Sequence, residues 1–501
     1  MSMDSVTFLG GPDPAVEIGF TLGAGAGSDQ SAERAIYVMA EGNGGGTGVA
    51  GDVEGPFADA NEAEDFFGGA AWATHLGTSP GAWLCHLIFD MNPNAVVYGV
   101  YVAPLATTTK ASNTIVFATT ATGAGVCDLN LLGCPVSVEI ALDDTPTVVG
   151  DALVAAFELL SGPNLPPLHL SNAAGTVTVE FTNKGTQPNG APLEKIGITS
   201  GIGMTCTVTG NLATGAGTDV LTTPLAAIAG LRTPLLVGMW NDANGTTGML
   251  DLIRIHCNTK SNPQDQLWSK FVTAKTDTRS NIVSWWATVD TNDTERGHAI
   301  GWTGARQWWP MMAADYAAAI ASTDNLVLPI NGTDLKHCSW FPPAATNRHN
   351  RTDRVTMLRG GVCPGRVVDE KVTVTRYIMG RFDLGVVDGN AVDVLDYLAV
   401  DLAATFANLG PQNIVPAGSV AYGDDKITLD QLQGMVVDRL YYMEREKGYL
   451  YDLTEANVKL ITTTYLGGGA VKVKIPKQCL QVVPGLHNIE VEGNHQVDAA
   501  Y

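Results

Sequence analysis

The apolar positions change their spacing several times along the chain, and each change marks a different kind of element. Residues 1–30 hold two short strand-like pieces, 6–9 and 15–22, separated by Gly-Gly-Pro and followed by a glycine run. A segment this thin cannot bury a core of its own, so it is either a tail or an arm that joins another sheet. From Arg34 the pattern predicts a strand over 35–40, a Gly-rich loop, helices near 61–67 and 70–75, and a strand over 95–102. Apolar strands alternating with helices imply a mostly parallel sheet covered on both faces. Between 108 and 212 the spacing falls to two, with strands over 114–119, 136–141, 177–182 and 204–209 around one helix over 148–160. That is the signature of a small α+β module. The α/β pattern then resumes: a strand over 235–240, helices over 247–257 and 264–273, a strand over 280–289, and helices over 294–309 and 310–322. The module therefore reads as an insertion.

The last 135 or so residues form their own unit. A strand over 372–378 precedes a helix with Leu395, Leu398, Leu402, Phe406 and Leu409 on one face, stopped by Gly410 and Pro411. Thr428 and Gln431 spell a capping box that opens a second helix, whose Leu432, Val436, Leu440 and Met443 share a face. Strands over 458–465 and 470–475 follow. Beyond Pro476 and the Pro484-Gly485 break lies a detached piece, 486–491, whose alternation puts His487, Ile489 and Val491 on one face. The expected fold is α/β and α+β multidomain. It has an N-terminal extended arm (1–30), a discontinuous α/β core (31–107 and 213–365), an inserted β-rich module (108–212), a C-terminal α+β domain (366–478) and a C-terminal arm (479–501).

Charge adds a polarity to this layout. The net charge is −22, and residues 1–250 hold 5 basic against 23 acidic side chains, so the first half carries most of it. Residues 336–381 reverse the sign, with nine basic side chains against Asp353, Asp369 and Glu370. An acidic half and a basic stretch suit head-to-tail contact between copies, although ordinary solvated faces account for the charge equally well; a nucleic-acid or anionic-membrane partner is disfavoured. Eight cysteines without C-x-x-C spacing read as buried apolar residues of a reducing compartment. No signal peptide and no membrane-spanning stretch is expected.

Motifs with catalytic spelling lack their context. Gly46-Thr-Gly48-Val-Ala-Gly51 matches a dinucleotide loop, but Asp52-Val-Glu54-Gly-Pro56 follows where a helix should begin. Gly77-Thr-Ser79-Pro-Gly81 spells a nucleophile elbow, yet Pro80 has no N–H for an oxyanion hole, so a turn before a helix is the reading. His337, Cys338, His349 and Cys363 have no metal-ligand spacing, and Glu295 with His298 lacks H-E-x-x-H. No catalytic, cofactor or metal residue is expected. Trp285, Trp286, Trp302, Trp308 and Trp309 are expected in a core or subunit contact.

The order of parts resembles the tail sheath proteins of contractile-tailed phages, on their Mu-like branch. The likeness rests on Pro14-Ala-Val-Glu-Ile18 leading to Ala35-Ile-Tyr-Val-Met39, on Glu64-Asp-Phe-Phe-Gly68 within 55–70, and on Val177-Thr-Val-Glu-Phe-Thr-Asn-Lys-Gly185. It continues through 288–299, Leu326-Val-Leu-Pro-Ile330 and Val374-Thr-Arg-Tyr-Ile378. Tyr397-Leu-Ala-Val400 departs from the Tyr-Leu-Arg-Tyr run of many Mu-like members. The resemblance implies a structural virion protein and no enzyme: hexameric rings stacked round a tail tube, contracting to drive the tube through a host envelope for genome ejection. Its implied partners are neighbouring sheath subunits, the tube, the baseplate and the tail terminator, with assembly in the bacterial cytoplasm. The arm strands would carry Val6, Phe8, Val16, Ile18, His487, Ile489 and Val491, and the charged seam Arg351 and Arg354. A receptor-binding or capsid-decoration protein, or an α/β enzyme without a visible motif, are the alternatives.

Overall fold

The computed structural model describes residues 16–20, 34–70, 77–243, 247–261, 267–289, 296–379, 387–407, 413–415, 426–467 and 470–484. Strand β1 (Val16–Phe20) stands apart from the next element by a long interval of sequence and is taken up with the C-terminal sheet. The centre is an eight-stranded sheet that begins in its own middle. β2 (Ile36–Glu41) is buried at all six positions, as a strand covered on both faces must be. β4 (Val97–Val102) pairs parallel on one side of it, and the short β3 (Val53–Glu54) closes that edge antiparallel. The chain later returns to the other side of β2 as β12 (Leu235–Gly238) and proceeds outward, still parallel, through β13 (Phe271–Thr276), β14 (Gly297–Trp302) and β15 (Val362–Val368). β16 (Lys371–Val374) folds back antiparallel as the last strand. The order of strands thus reverses between β2 and β12.

Helices α1 (Ala60–Phe67), α2 (Pro80–Met91), α4 (Thr222–Ala227), α5 (Met249–Lys260), α6 (Arg279–Val289), α7 (Trp309–Ile320) and α8 (Arg351–Arg359) join these strands. α7 is buried along its entire length, which its Ala-rich sequence permits by allowing close approach on every side. Trp286, Trp302, Trp308 and Trp309 are buried and Trp285 is half-buried.

The intervening module holds β5 (Lys110–Ala118), β6 (Gly125–Leu131), β7 (Cys134–Ile140), α3 (Pro146–Glu158), β8 (Leu168–Ala173), β9 (Thr176–Lys184), β10 (Leu193–Ile198) and β11 (Thr205–Val208). They make two antiparallel sheets, ordered β11-β5-β9-β8 and β10-β6-β7. Burial alternates strictly along β7, and α3 places Val149, Leu153 and Phe157 on the covered side. This apolar interior is continuous with that of the large sheet.

A second, separate apolar cluster lies in the C-terminal part. It gathers α9 (Gly389–Ala407), α10 (Leu429–Arg445), α11 (Glu455–Val458), β21 (Thr462–Gly467) and β22 (Ala470–Ile475). The short pairs β17 (Ile378–Met379) with β18 (Val387–Asp388), and β19 (Asn413–Val415) with β20 (Lys426–Thr428), flank these helices in sequence. The capping box forms as spelled: Gln431 N–H donates to Thr428 Oγ1 at 3.1 Å, and Thr428 N–H to Gln431 Oε1 at 2.8 Å. Leu432, Val436, Leu440 and Met443 are its buried face.

Three sequence expectations are corrected. Residues 280–289 are helix α6, not a strand: the buried Ile282, Trp286 and Val289 recur at helical spacing, which outweighs the β-branched composition. The helix expected over 264–273 gives way to β13, and the one over 294–309 to β14. Short apolar runs do not separate buried strand from helix, and here the sheet decides. A Cβ on Gly297 would come within 2.5–2.6 Å of Phe271 and Trp286, a closeness that serves strand packing. The helix expected near 70–75 falls almost wholly outside the described residues.

Candidate functional site

The functional features are three places where distant parts of the chain are tied together. The first is a sheet edge. β1 lies antiparallel on β22, with Val16 opposite Ile475 and Phe20 opposite Val471, and β21 occupies the other side of β22. A five-residue ladder gives net hydrogen-bond stabilisation of a few kcal/mol, at roughly 0.5 to 1.5 per bond.

The second is a row of cations at the N-terminal ends of the parallel strands. Arg34 precedes β2, Lys270 precedes β13 and Arg296 precedes β14, and all three are buried against α9. Arg34 Nε donates to Asp393 Oδ2 at 3.0 Å, and its other nitrogens reach the carbonyls of Ile320, Thr323 and Leu326 and the Asn390 amide oxygen. Lys270 pairs with Asp393, and at 3.6 Å with Asp396. Arg296 Nη1 lies 2.8 Å from both Asp396 oxygens, with its guanidinium 5.2 Å over the Trp268 ring. Tyr377 Oη sits 3.2 Å from His298 Nε2 and 3.2–3.3 Å from both Asp393 oxygens, while His298 Nδ1 is 3.0 Å from the Ile378 carbonyl oxygen. Burial works against the Asp393 carboxylate, but Lys270 and Arg34 outweigh it and hold the group below its ordinary value. Burial, aided by the Lys270 and Arg34 charges and opposed by the Ile378 carbonyl and Asp393, pushes His298 down to about 4, so it is neutral.

The third lies at the opposite end of the same sheet. Glu41, the last residue of β2, is fully buried beside Asp219 in the segment returning from the module. Asn183, at the end of β9, donates to Glu41 Oε2 at 3.2 Å and to the Gly42 carbonyl at 2.8 Å. Trp240 Nε1, just past β12, donates to Asp219 Oδ2 at 2.6 Å, and Gln187 donates to the same oxygen. Burial, then the Asp219 charge, raises Glu41 far above the usual carboxyl range. A cleft of about 340 Å³ opens next to this pair, lined by Gln187, Trp240, Asp242, Lys275, Gln307 and Trp308 among others.

The anticipated residues fall as follows. Val16 and Ile18 lie in β1, on this chain's own β22. Val6, Phe8, His487, Ile489 and Val491 lie outside the described residues. Arg351 opens α8 with an exposed side chain, and Arg354 is half-buried, donating to the His349 carbonyl at 2.7 Å. Elsewhere in the basic stretch, Lys336, Arg348, Lys371 and Arg376 pair within the chain with Asp90, Glu370, Asp334 and Asp388. Ser79 caps α2 by accepting from Ala82 N–H at 3.1 Å, and the 46–51 glycine loop leads to β3, not a helix. His337 is buried, which disfavours its charge, but Asp315 at 2.5 Å and Asp90 at 2.9 Å raise its pKa. Among the described residues no three His, Cys, Asp or Glu side chains are placed to hold a metal, and no helix is long and apolar enough to cross a membrane. All eight cysteines are buried and unpaired.

No family model matches the chain, and no curated protein does. The fold defines a mixed α/β protein with several sheets. Among solved structures, the crystal structure of the sheath tail protein from Desulfitobacterium hafniense aligns over 90% of this chain and 99% of that one, at 11% identity and a TM-score of 0.42.

Proposed function

We propose that the chain is a sheath subunit of a contractile phage tail, polymerising as stacked, hexameric rings round a tail tube and contracting to drive that tube through the host envelope. The observation that carries this reading is the β1–β22 pairing, in which the edge of the C-terminal sheet is filled by a strand from the far end of the sequence. A strand with that register satisfies the same backbone groups whether it comes from its own subunit or from a neighbour, so exchange costs no pairing and links copies into a mesh. In this reading 1–30 and 479–501 are arms, 31–107 with 213–365 a core, 108–212 an insertion and 366–478 the arm-accepting domain. Val6, Phe8, Val16 and Ile18 in one arm and His487, Ile489 and Val491 in the other make the joints, and Arg351 and Arg354 face acidic surface on the next copy or the tube.

The test is negative-stain microscopy of the purified protein beside a variant lacking residues 1–22. Tubes or stacked rings from the full chain, and folded single particles from the truncated one, are the expected pair. Discrete particles from the full chain, or unimpaired tubes from the truncated one, overturn the reading.

A further inference from the structure

We propose that Glu41 and Asp219 form a proton-operated clasp, holding the module's 183–192 segment on the C-terminal end of the large sheet and releasing it when their shared proton is lost. The clasp stands where the strand order reverses between β2 and β12, the crevice in which open α/β sheets ordinarily take a ligand. Here the chain fills that place with its own side chains. Glu41 comes from the sheet, Asp219 from the return segment, Asn183 and Gln187 from the module and Trp240 from the turn after β12. The Asp219 charge bears directly on Glu41, and Glu41 Oε1 and Asp219 Oδ1 are buried oxygens that no donor reaches, each free to share one proton with the other carboxyl. Two carboxyls buried in contact are held together only if one carries a proton and donates it to the other.

Among the described residues, the surroundings supply no cation to replace that proton. The module side presents neutral amides, Asn183 and Gln187. The turn after β12 presents Asp242, a further negative charge acting on Asp219. β4 presents the Tyr101 phenol, whose proton is retained chiefly by burial, with a lesser push from Glu41. The cation at hand, Lys275 of β13, lies across the cleft against the Trp285 ring, 5.8 Å from its centre. Since Gln187 and Trp240 line that cleft, solvent reaches the partners of Asp219 directly.

The sign follows from the raised Glu41 value. The clasp's contribution is complete below the ordinary carboxyl value of 4.5 and falls, up to tenfold per pH unit, as pH climbs toward the raised value. Glu41→Gln is the decisive variant, because its amide can still accept from Asn183 while donating permanently to Asp219. Hydrogen exchange of the full-length protein between pH 6 and 10, corrected for intrinsic rates, reads the 183–192 segment against β21 and β22 as internal reference. In the native chain protection of 183–192 should fall by up to tenfold per pH unit across the Glu41 titration, and in Glu41→Gln it should stay level. Equal slopes in both proteins, or a flat native profile, overturn the clasp. Should the variant fail to fold, a carboxyl-carbon NMR titration of native Glu41 decides the matter: a midpoint near 4.5 rejects it, and a strongly raised one supports it.

Discussion

The two ends of the large parallel sheet are tied by opposite electrostatics. At the N-terminal ends of β2, β13 and β14, three buried cations face two carboxylates of α9, so each carboxylate is met by fixed positive charge. At the C-terminal end of β2, two carboxyls meet with no cation between them among the described residues, and a proton does the compensating. Both joints bind a distant part of the chain to the same sheet, α9 in one case and residues 183–187 at the end of β9 in the other. The difference teaches that the first joint is strong but intolerant of losing a member, because a removed partner strands a buried charge. The second is adjustable, because one proton can come and go without moving a heavy atom.

The largest effect that separates them is Asp393→Asn. It leaves Arg34 and Lys270 buried with a neutral partner, and a loss of roughly 3 to 5 kcal/mol is expected. Denaturant unfolding measures it, and a local readout on α9 should show the loss there first. Glu41→Gln, by contrast, should change stability at pH 4.5, where the native carboxyl is still protonated, by less than about 1 kcal/mol, since it removes a titration and leaves the hydrogen bonds in place. Equal costs for the two would abolish the distinction between a compensated and a protonated joint.

A smaller effect is the direction of pH dependence. His298 is neutral in the fold with a value of about 4, whereas an unfolded histidine titrates near 6.5. A depressed value means that its contribution is complete above 6.5 and is lost as pH falls toward 4, at up to about 1.4 kcal/mol per pH unit. Asp393, also depressed, adds further loss below the ordinary aspartate value of 3.8. The α9 joint should therefore loosen in acid and the module clasp in alkali. Exchange at 389–407 should rise between pH 6.5 and 4 in the native protein, and His298→Gln should flatten that rise. An unchanged acid slope in the variant would remove His298 from the account.

The sequence shows some of this and hides the rest for physical reasons. Strict alternation in β7, and alternation over 176–181 of β9, is local information, as is the Thr428–Gln431 capping box, and all are as the spacing indicates. The helix α6 was masked by its Ile, Val and Trp content, and β14 by its shortness, because burial on both faces erases periodicity. The α9 joint left one readable trace: Asp393 and Asp396 stand three apart in a helix rich in Ala, Val and Leu, whose other carboxylate, Asp401, pairs with Arg439. Their partners are spread from Arg34 to Arg296, so only the sheet order brings them together. Glu41 likewise reads as the polar end of a strand until Asp219 is placed beside it.

The smallest expected effect tests how the α9 joint is wired. Tyr377 has one hydroxyl proton and two acceptors within reach, the Asp393 carboxylate and His298 Nε2. With His298 neutral and its Nδ1–H directed to the Ile378 carbonyl, Nε2 can only accept, so carboxylate and imidazole compete for that proton and the charged acceptor prevails. Once His298 is protonated the competition ends: Nε2–H donates to the phenol oxygen, and the phenol donates to Asp393. Tyr377→Phe deletes this relay. It should cost about 1 kcal/mol at neutral pH, and it should also shift proton uptake by His298 to lower pH, since the imidazolium would lose its acceptor. Histidine NMR titration of both proteins reads that shift. A His298 midpoint that moves upward in the variant would mean that the phenol serves the neutral imidazole instead, and that the Tyr377 proton belongs to His298 and not to Asp393.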